Sequence, residues 1–261
     1  MKSKFFVIIG LLSIINVLFC QQQPSQIVLD ILSRNIGLRN VTKKYDKPEI
    51  LKYKIRWEFV YAGDAEMEIF KDILYGYSVY HISTRVSSNK SLDLIYKVRN
   101  RTDSYVDLDG FYTLRFKKEQ NEAGYVSKDD VYFDHKNNLW YYLIDNTTGY
   151  IPTFVQDVVS CLYWLRLQKI EVGKEYVFFV WVGKVVYPMV VKVFGVQKIK
   201  IFDKEYECFK VEPKVDLKSF PLFKAKGRLF VYITTDEKKL PVRLESKVFI
   251  GKVFADLVET N

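Results

Sequence analysis

Leu51, Tyr53, Ile55, Trp57, Phe59 and Tyr61 occupy every second position, and Lys52, Lys54, Arg56, Glu58 and Val60 stand between them. Large apolar side chains at a period of two, opposed by mostly charged ones, mark a strand with one face in a core and one in water. Ala62-Gly63-Asp64 supplies turn chemistry, Met67 to Phe70 begins a return strand, and Tyr75, Tyr77 and Tyr80 lead a third that runs to Val86. A polar loop follows over 87–91. The same rhythm predicts strands at 92–99, 104–108, 112–118, 130–135 and 139–143. It resumes at 176–182, 188–194, 198–202, 205–211, 228–235, 242–249 and 253–258. Asp109-Gly110, Glu122-Ala123-Gly124, Asn137-Asn138 and Asp236-Glu237-Lys238-Lys239 provide the turns between them.

One stretch breaks the alternation. Pro152 and Thr153 precede fourteen residues, Phe154 to Leu167, that contain neither Gly nor Pro. Val155, Val158, Val159, Leu162 and Leu165 recur at spacings of three and four, so the segment reads as a helix capped by Thr153. The expected architecture is mainly β: a single domain over 49–261, built as a curved antiparallel sheet, half-barrel or barrel-like, with one main helix near 153–167 packed on it. Nineteen Tyr and nineteen Phe against twelve Gly and seven Pro agree with a strand-rich chain.

The first twenty residues follow a different logic. Lys2 and Lys4 precede an apolar run from Phe5 to Phe19, which is shorter than the roughly 20 residues needed to span a bilayer. With Gln21, Gln22 and Gln23 next, 1–20 reads as a secretory signal peptide cut near Cys20; lipidation of Cys20 is the rival reading. The mature chain then begins with an extension, 21–48, in which Ile27, Val28, Ile31 and Leu32 suggest a short helix capped by Ser25. No later stretch is long and apolar enough for a transmembrane helix. The expected location is the periplasm or outside the cell. Removing Lys2 and Lys4 takes the formal charge of +9 to +7. Lysines are spread over nearly all strands, which fits a solvated sheet face or an anionic lipid surface better than nucleic acid. Four sequons, at Asn40, Asn89, Asn100 and Asn146, are of a length that chance supplies.

Candidate chemistry is sparse. Phosphate-loop, dinucleotide, zinc-protease and nucleophile-elbow motifs are missing, so the sequence asks for no cofactor or metal. The only histidines are His81 and His135, which limits a serine–histidine mechanism to those two bases. Asp129 and Asp130 are adjacent, and adjacent strand positions point to opposite faces. Beyond Cys20 the cysteines are Cys161 and Cys208, which an oxidising compartment would allow to form a disulfide or to remain buried thiols. On the helix, Asp157, Ser160, Tyr163 and Arg166 are spaced by three and form a polar stripe beside the apolar one. The stripe serves either to fasten the helix to strand ends or to rim a ligand cavity, with Arg166 holding a carboxylate or phosphate.

Particular segments then point to a family. They are the opening hairpin from Leu51-Lys52-Tyr53 to Gly63, the run from Tyr96-Lys97-Val98-Arg99 to Ser104, Val131 to Asp134, the helix from Gln156 to Arg166, Gly173, and the tail from Thr235 through Pro241 to Gly251. Together they resemble the bacterial domain of unknown function family 3108 over roughly 49–258, with Tyr232 standing where a Trp is expected. The resemblance implies an exported, mostly antiparallel β fold with no assigned activity. The candidate ligand-binding set comprises Asp157, Ser160, Tyr163, Arg166, Arg99 and Ser104. Three functional readings follow. The first is an exported, non-enzymatic envelope protein that binds a lipid or other hydrophobic or amphiphilic molecule in a curved sheet. The second is a scaffold or module for an envelope protein partner. The third is an envelope hydrolase using Asp157, Ser160 or a histidine.

Overall fold

Val60 pairs directly with Trp57, so the chain reverses over Glu58 and Phe59, earlier than the Ala62-Gly63-Asp64 turn chemistry predicts. Glu58 takes a φ of 50°, in the left-handed region a tight reversal requires. The alternation misleads here because it passes unbroken through the turn, and Trp57, Phe59 and Tyr61, expected in a core, are exposed. The computed structural model describes residues 30, 41–42, 45–215, 228–247 and 251–261. The proposed signal segment with Cys20, the positions Ile27, Val28, Ile31 and Leu32 of the expected helix, and Asn40 lie outside the described residues.

Among the described residues fourteen strands form one antiparallel sheet. They are β1 (Glu49–Trp57), β2 (Val60–Leu74), β3 (Tyr77–Ser88), β4 (Val98–Asp107), β5 (Thr113–Glu122), β6 (Tyr125–Asp134), β7 (Leu139–Tyr142) and β8 (Thr147–Tyr150), followed by β9 (Glu175–Val182), β10 (Val185–Ile201), β11 (Lys204–Val215), β12 (Leu229–Thr234), β13 (Pro241–Lys247) and β14 (Lys252–Thr260). Two helices with bounds in the described residues are α1 (Lys90–Asp93) and α2 (Ser160–Leu167). Tyr75-Gly76, Ala123-Gly124 and Gly183-Lys184 each have two positive φ values, the geometry whose twist matches that of flanking strands. Among the described residues no helix is long and apolar enough to cross a membrane.

The strand order is β8-β7-β6-β5-β4-β3-β2-β1-β14-β13-β12-β11-β10-β9. The chain therefore meanders from β1 out to one edge, crosses to the opposite edge through α2, and meanders back until β14 pairs with β1 at the centre. The sheet curls so that its edges approach each other. The backbone of Gln156 bonds to β9 through its N–H to Phe179 O (2.9 Å) and its O from Trp181 N–H (2.8 Å), while Val155 O accepts from Thr113 N–H at the start of β5 (3.2 Å). The crossing segment thus acts as a stitch between the two halves. Trp181 of β9 is buried against Phe116, Phe133, Trp140 and Tyr142 of the other half. Trp140 lies over Gly149 of β8, where a Cβ would come within 2.7 Å of the indole, so only glycine admits the ring. Lys184 in the β9–β10 turn pairs with Asp145 in the β7–β8 turn.

Several elements differ from the sequence reading. Residues 92–99 contain the end of α1, a loop and the start of β4, and Asn89 caps α1 through a bond from Leu92 N–H (2.8 Å). The strands expected at 188–194 and 198–202 are one long β10, which runs on through a bulge between Val193 and Gly195. Alternation is lost at a bulge, so the pattern splits where the strand continues. The helix starts at Ser160, not after Thr153. Phe154 has a φ of 64°, and Val155 and Gln156 spend their backbone groups on β5 and β9, so 153–156 cannot wind into a helix.

Candidate functional site

Asp157 follows the stitch directly and caps the turn that winds into α2, in which Cys161 N–H bonds back to Asp157 O (3.2 Å). Its Oδ1 accepts from Val159 N–H (2.8 Å) and Ser160 N–H (2.9 Å), and Ser160 Oγ in return accepts from Asp157 N–H (2.9 Å). This reciprocal pair is a capping box written D-x-x-S, which satisfies helix N–H groups that would otherwise have no acceptor. The other carboxylate oxygen reaches across the interior. Asp157 Oδ2 accepts from Ser104 Oγ of β4 and from Thr113 Oγ1 of β5 (2.8 Å). Thr113 Oγ1 also lies 3.0 Å from Ser160 Oγ. Ser104, Thr113, Asp157 and Ser160 are all buried, so a helix cap and a link between strands share one carboxylate in a water-poor interior. Three of these four residues belong to the set chosen from the sequence. Thr113 is not among the residues the sequence marks, since its partner Asp157 lies 44 residues away.

Tyr163 and Arg166, one and two turns farther on, enter a different cluster. The Arg166 guanidinium is 3% exposed as a residue and forks onto Glu49 of β1, with Nη1 and Nη2 each 2.7 Å from a carboxylate oxygen. It also donates from Nε to Lys239 O (2.8 Å) and from Nη2 to Lys238 O (3.1 Å), in the β12–β13 turn. Tyr45 donates its hydroxyl to Tyr163 O (2.9 Å), and both rings lie beside the guanidinium, at 5.6 Å and 5.2 Å. Burial disfavours the Arg166 charge, but the surrounding Tyr45 and Glu49 outweigh it and raise its pKa above the ordinary value. Burial likewise raises the Tyr163 hydroxyl well above the usual phenol range. Arg166 is thus occupied by a carboxylate of its own chain. Arg99 lies at the opposite end of the sheet, exposed, bonded to Asp93 (Nη2 at 2.6 Å) and to Ser88, and does not join the others.

The histidines are fastened elsewhere. His81 on β3 sets Nδ1 3.1 Å from Asp72 and Nε2 2.9 Å from Asp103, and stacks on Tyr105. Burial pushes the Asp103 carboxyl up, but the bonds from His81 and Arg101 outweigh it and hold it well below the usual range. His135 lies 2.6 Å from Thr113 O through Nε2 and accepts from Phe154 N–H at Nδ1 (3.0 Å), which fixes the tautomer with Nε2 protonated. Each ring nitrogen of both histidines has such a partner, so neither is aimed at Ser160 as a base. Asp129 and Asp130 have separate cations, Lys118 (2.7 Å) and Arg115 (2.8 Å). Among the described residues no group of three or more His, Cys, Asp or Glu is placed to hold a metal.

The bridge considered between Cys161 and Cys208 is not formed; both are free thiols. Cys161 packs on the cluster around Leu165 and Phe178, whereas Cys208 lies in the core between β1 and β11–β14. Burial pushes both thiols up to about 12. At pH 8 the folded protein should therefore react with iodoacetamide at neither site, and unfolding without a reductant should expose both. Peptide mapping of the alkylated chain checks this; one site labelled in the native state, or neither after unfolding, would contradict it.

Near the cluster of Arg166, Tyr45 to Pro48 cover a pocket of about 130 Å³ that is also lined by Ile69, Phe70, Lys71 and Tyr80. The space between α2 and the sheet is taken by Val159, Tyr163 and Leu165, which pack into the cores of both halves.

Comparison with known proteins adds the relationship. A barrel-like protein of the domain of unknown function DUF1849 from Brucella abortus, solved by crystallography, superposes with a TM-score of 0.54 at 12% identity, covering 82% of this chain and 97% of that one. That likeness concerns the fold, and the barrel-like description fits the curled sheet seen here. No curated protein matches the sequence. The family described as protein of unknown function (DUF3108) matches residues 52–258, a span that contains the stitch, α2 and nearly the whole sheet, and the chain belongs to this family.

Proposed function

We propose that this chain is an exported, non-enzymatic protein of the cell envelope that acts through its outer surface, as a docking module, and does not carry an amphiphile inside its barrel. The observation that supports the reading is the occupation of the space beside α2. The polar stripe expected to rim a cavity is used internally: Asp157 and Ser160 cap the helix and Arg166 clamps Glu49. A pocket of about 130 Å³ at Tyr45–Pro48 is well below the roughly 300–1,000 Å³ of ligand-binding cavities. Export rests on the signal-like segment at 1–20.

Native mass spectrometry and organic extraction of the protein purified from a bacterial envelope fraction test the reading. The expected result is a chain free of bound lipid, beginning near Gln21. A stoichiometric lipid that survives purification would favour the carrier reading instead, and recovery of the chain in the cytosol with residues 1–20 intact would remove export.

A further inference from the structure

One end of the barrel carries large apolar side chains that no core claims. The turns β1–β2, β3–β4 and β5–β6 share that end, because Asn89 N–H bonds to Ala62 O (2.9 Å) and Ala123 N–H to Lys97 O (2.7 Å). Phe59 forms the tip of the first turn and is 94% exposed; Leu94 and Ile95 in the second are 89% and 84% exposed. Tyr125 and Val126 project from the third and are exposed as well. A monomeric protein in water gains nothing from three neighbouring turns armed in this way, and contiguous exposed apolar surface marks a contact site.

We infer that this end of the barrel docks onto the surface of an anionic lipid bilayer, a proposal that rests on the surface-acting reading above and names its partner. Two arrangements on the page select a bilayer. The first is the order of side chains along the β1–β2 hairpin. Phe59 is outermost, Trp57 and Val60 form the first rung behind it, and Arg56 pairs with Tyr61 on the next. Aliphatic or phenylalanine tips, then Trp and Tyr, then Arg and Lys is the sequence of chemistries met on entering a bilayer from its hydrocarbon to its headgroups. The second is charge. Lys90, Lys97 and Arg99 surround Leu94 and Ile95, with Asp93 and Glu122 as the acids there, and Lys54 and Arg56 stand behind Phe59; Glu58 in that turn accepts from Lys252 N–H (2.6 Å), and Glu122 accepts from Asn100 (2.6 Å). Arg99, Lys54 and Arg56 have carboxylate partners, whereas Lys90 and Lys97 are exposed and form no ion pair with a described residue. These two lysines face outward beside the apolar tips, where anionic headgroups complement them. Tips on three separate turns suit a deformable surface that each side chain enters on its own.

Flotation of the exported protein with vesicles of phosphatidylcholine containing about a third phosphatidylglycerol tests the proposal, with wild type and two variants sharing the same N-terminus. Wild type should float with these vesicles, and at least tenfold less with pure phosphatidylcholine. Phe59→Ser/Leu94→Ser/Ile95→Ser should lower the partition coefficient at least tenfold. Lys90→Gln/Lys97→Gln should lose most of the preference for phosphatidylglycerol. These positions are exposed, so thermal melts of both variants should match wild type and show that folding is not the cause. The proposal is overturned if wild type stays unbound at millimolar lipid, if the triple serine variant floats like wild type, or if the apolar tips prove to bind a second copy, seen as a wild-type dimer that the triple variant abolishes in sedimentation. Failure to bind vesicles, with no lipid extracted from the interior, would leave the docking-module reading standing with a protein partner in place of lipid.

Discussion

Asp157→Ala should cost on the order of 4–5 kcal/mol and lower the melting temperature by about 10–20 °C, at roughly 2–4 °C per kcal/mol for a domain of this size. The carboxylate accepts four hydrogen bonds, from Val159 N–H, Ser160 N–H, Ser104 Oγ and Thr113 Oγ1. Loss of a helix cap alone costs about 1 kcal/mol. The larger share comes from the buried hydroxyls: Ser104 Oγ is left facing an empty site, and Thr113 Oγ1 loses a charged acceptor and keeps only the neutral Ser160 Oγ at 3.0 Å; an unsatisfied buried group costs about 1–3 kcal/mol, and a bond to a charged group is worth about 1.5–3 kcal/mol. Asp157→Asn should cost much less, because its amide oxygen still caps the helix and the two hydroxyls can accept from its NH2. Thermal or urea denaturation followed by circular dichroism measures both. An alanine variant within about 1 kcal/mol of wild type would mean that the carboxylate does not join the helix to the strands.

Arg166→Ala is the second large effect, at about 3–5 kcal/mol, the usual cost of removing one partner of a buried pair. It strands the Glu49 carboxylate, which is largely buried, together with the carbonyls of Lys238 and Lys239. Arg166→Lys should recover little, since one ammonium cannot reproduce a planar fork on two carboxylate oxygens while also reaching two carbonyls. A double-mutant cycle with Glu49→Gln should give a coupling of more than about 1.5 kcal/mol, and additive losses would show that the two side chains do not act together. The same variants separate a structural from a ligand-holding arginine. Unchanged stability in Arg166→Ala would return that residue to the candidate ligand site.

The strands were legible because their side chains alternate, and the period survives wherever one face is buried. Leu51 and Tyr53 are examples. The pattern failed where alternation and structure separate: at Glu58-Phe59, where a turn keeps the period, and at Gly195, where a bulge breaks it in mid-strand. The helix was legible in kind but not in extent, because nothing local indicates that Val155 and Gln156 will bond to distant strands. Asp157, Ser160, Tyr163 and Arg166 were identified from spacing, yet the spacing of three has two origins. For the first pair it is a capping box, and for the second it places Tyr163 and Arg166 on one helix face over Tyr45 and Glu49. Glu49, Tyr45 and Thr113 carried little signal, since their partners lie 117, 118 and 44 residues away in sequence.

The pairing of β1 with β14 has a consequence for how the chain is made. Every other adjacent pair in the sheet joins neighbours in sequence, so the meanders β1–β8 and β9–β14 are local and quick to close. Leu51 and Thr260 must meet across all the intervening strands, and Thr260 leaves the ribosome long after Leu51. Until then β1 and β13 are two bare edges open to other chains. A nascent or truncated product ending before Lys252 would keep those edges for its lifetime. The seam that unites the halves is therefore also where the unfinished protein is most exposed to aggregation.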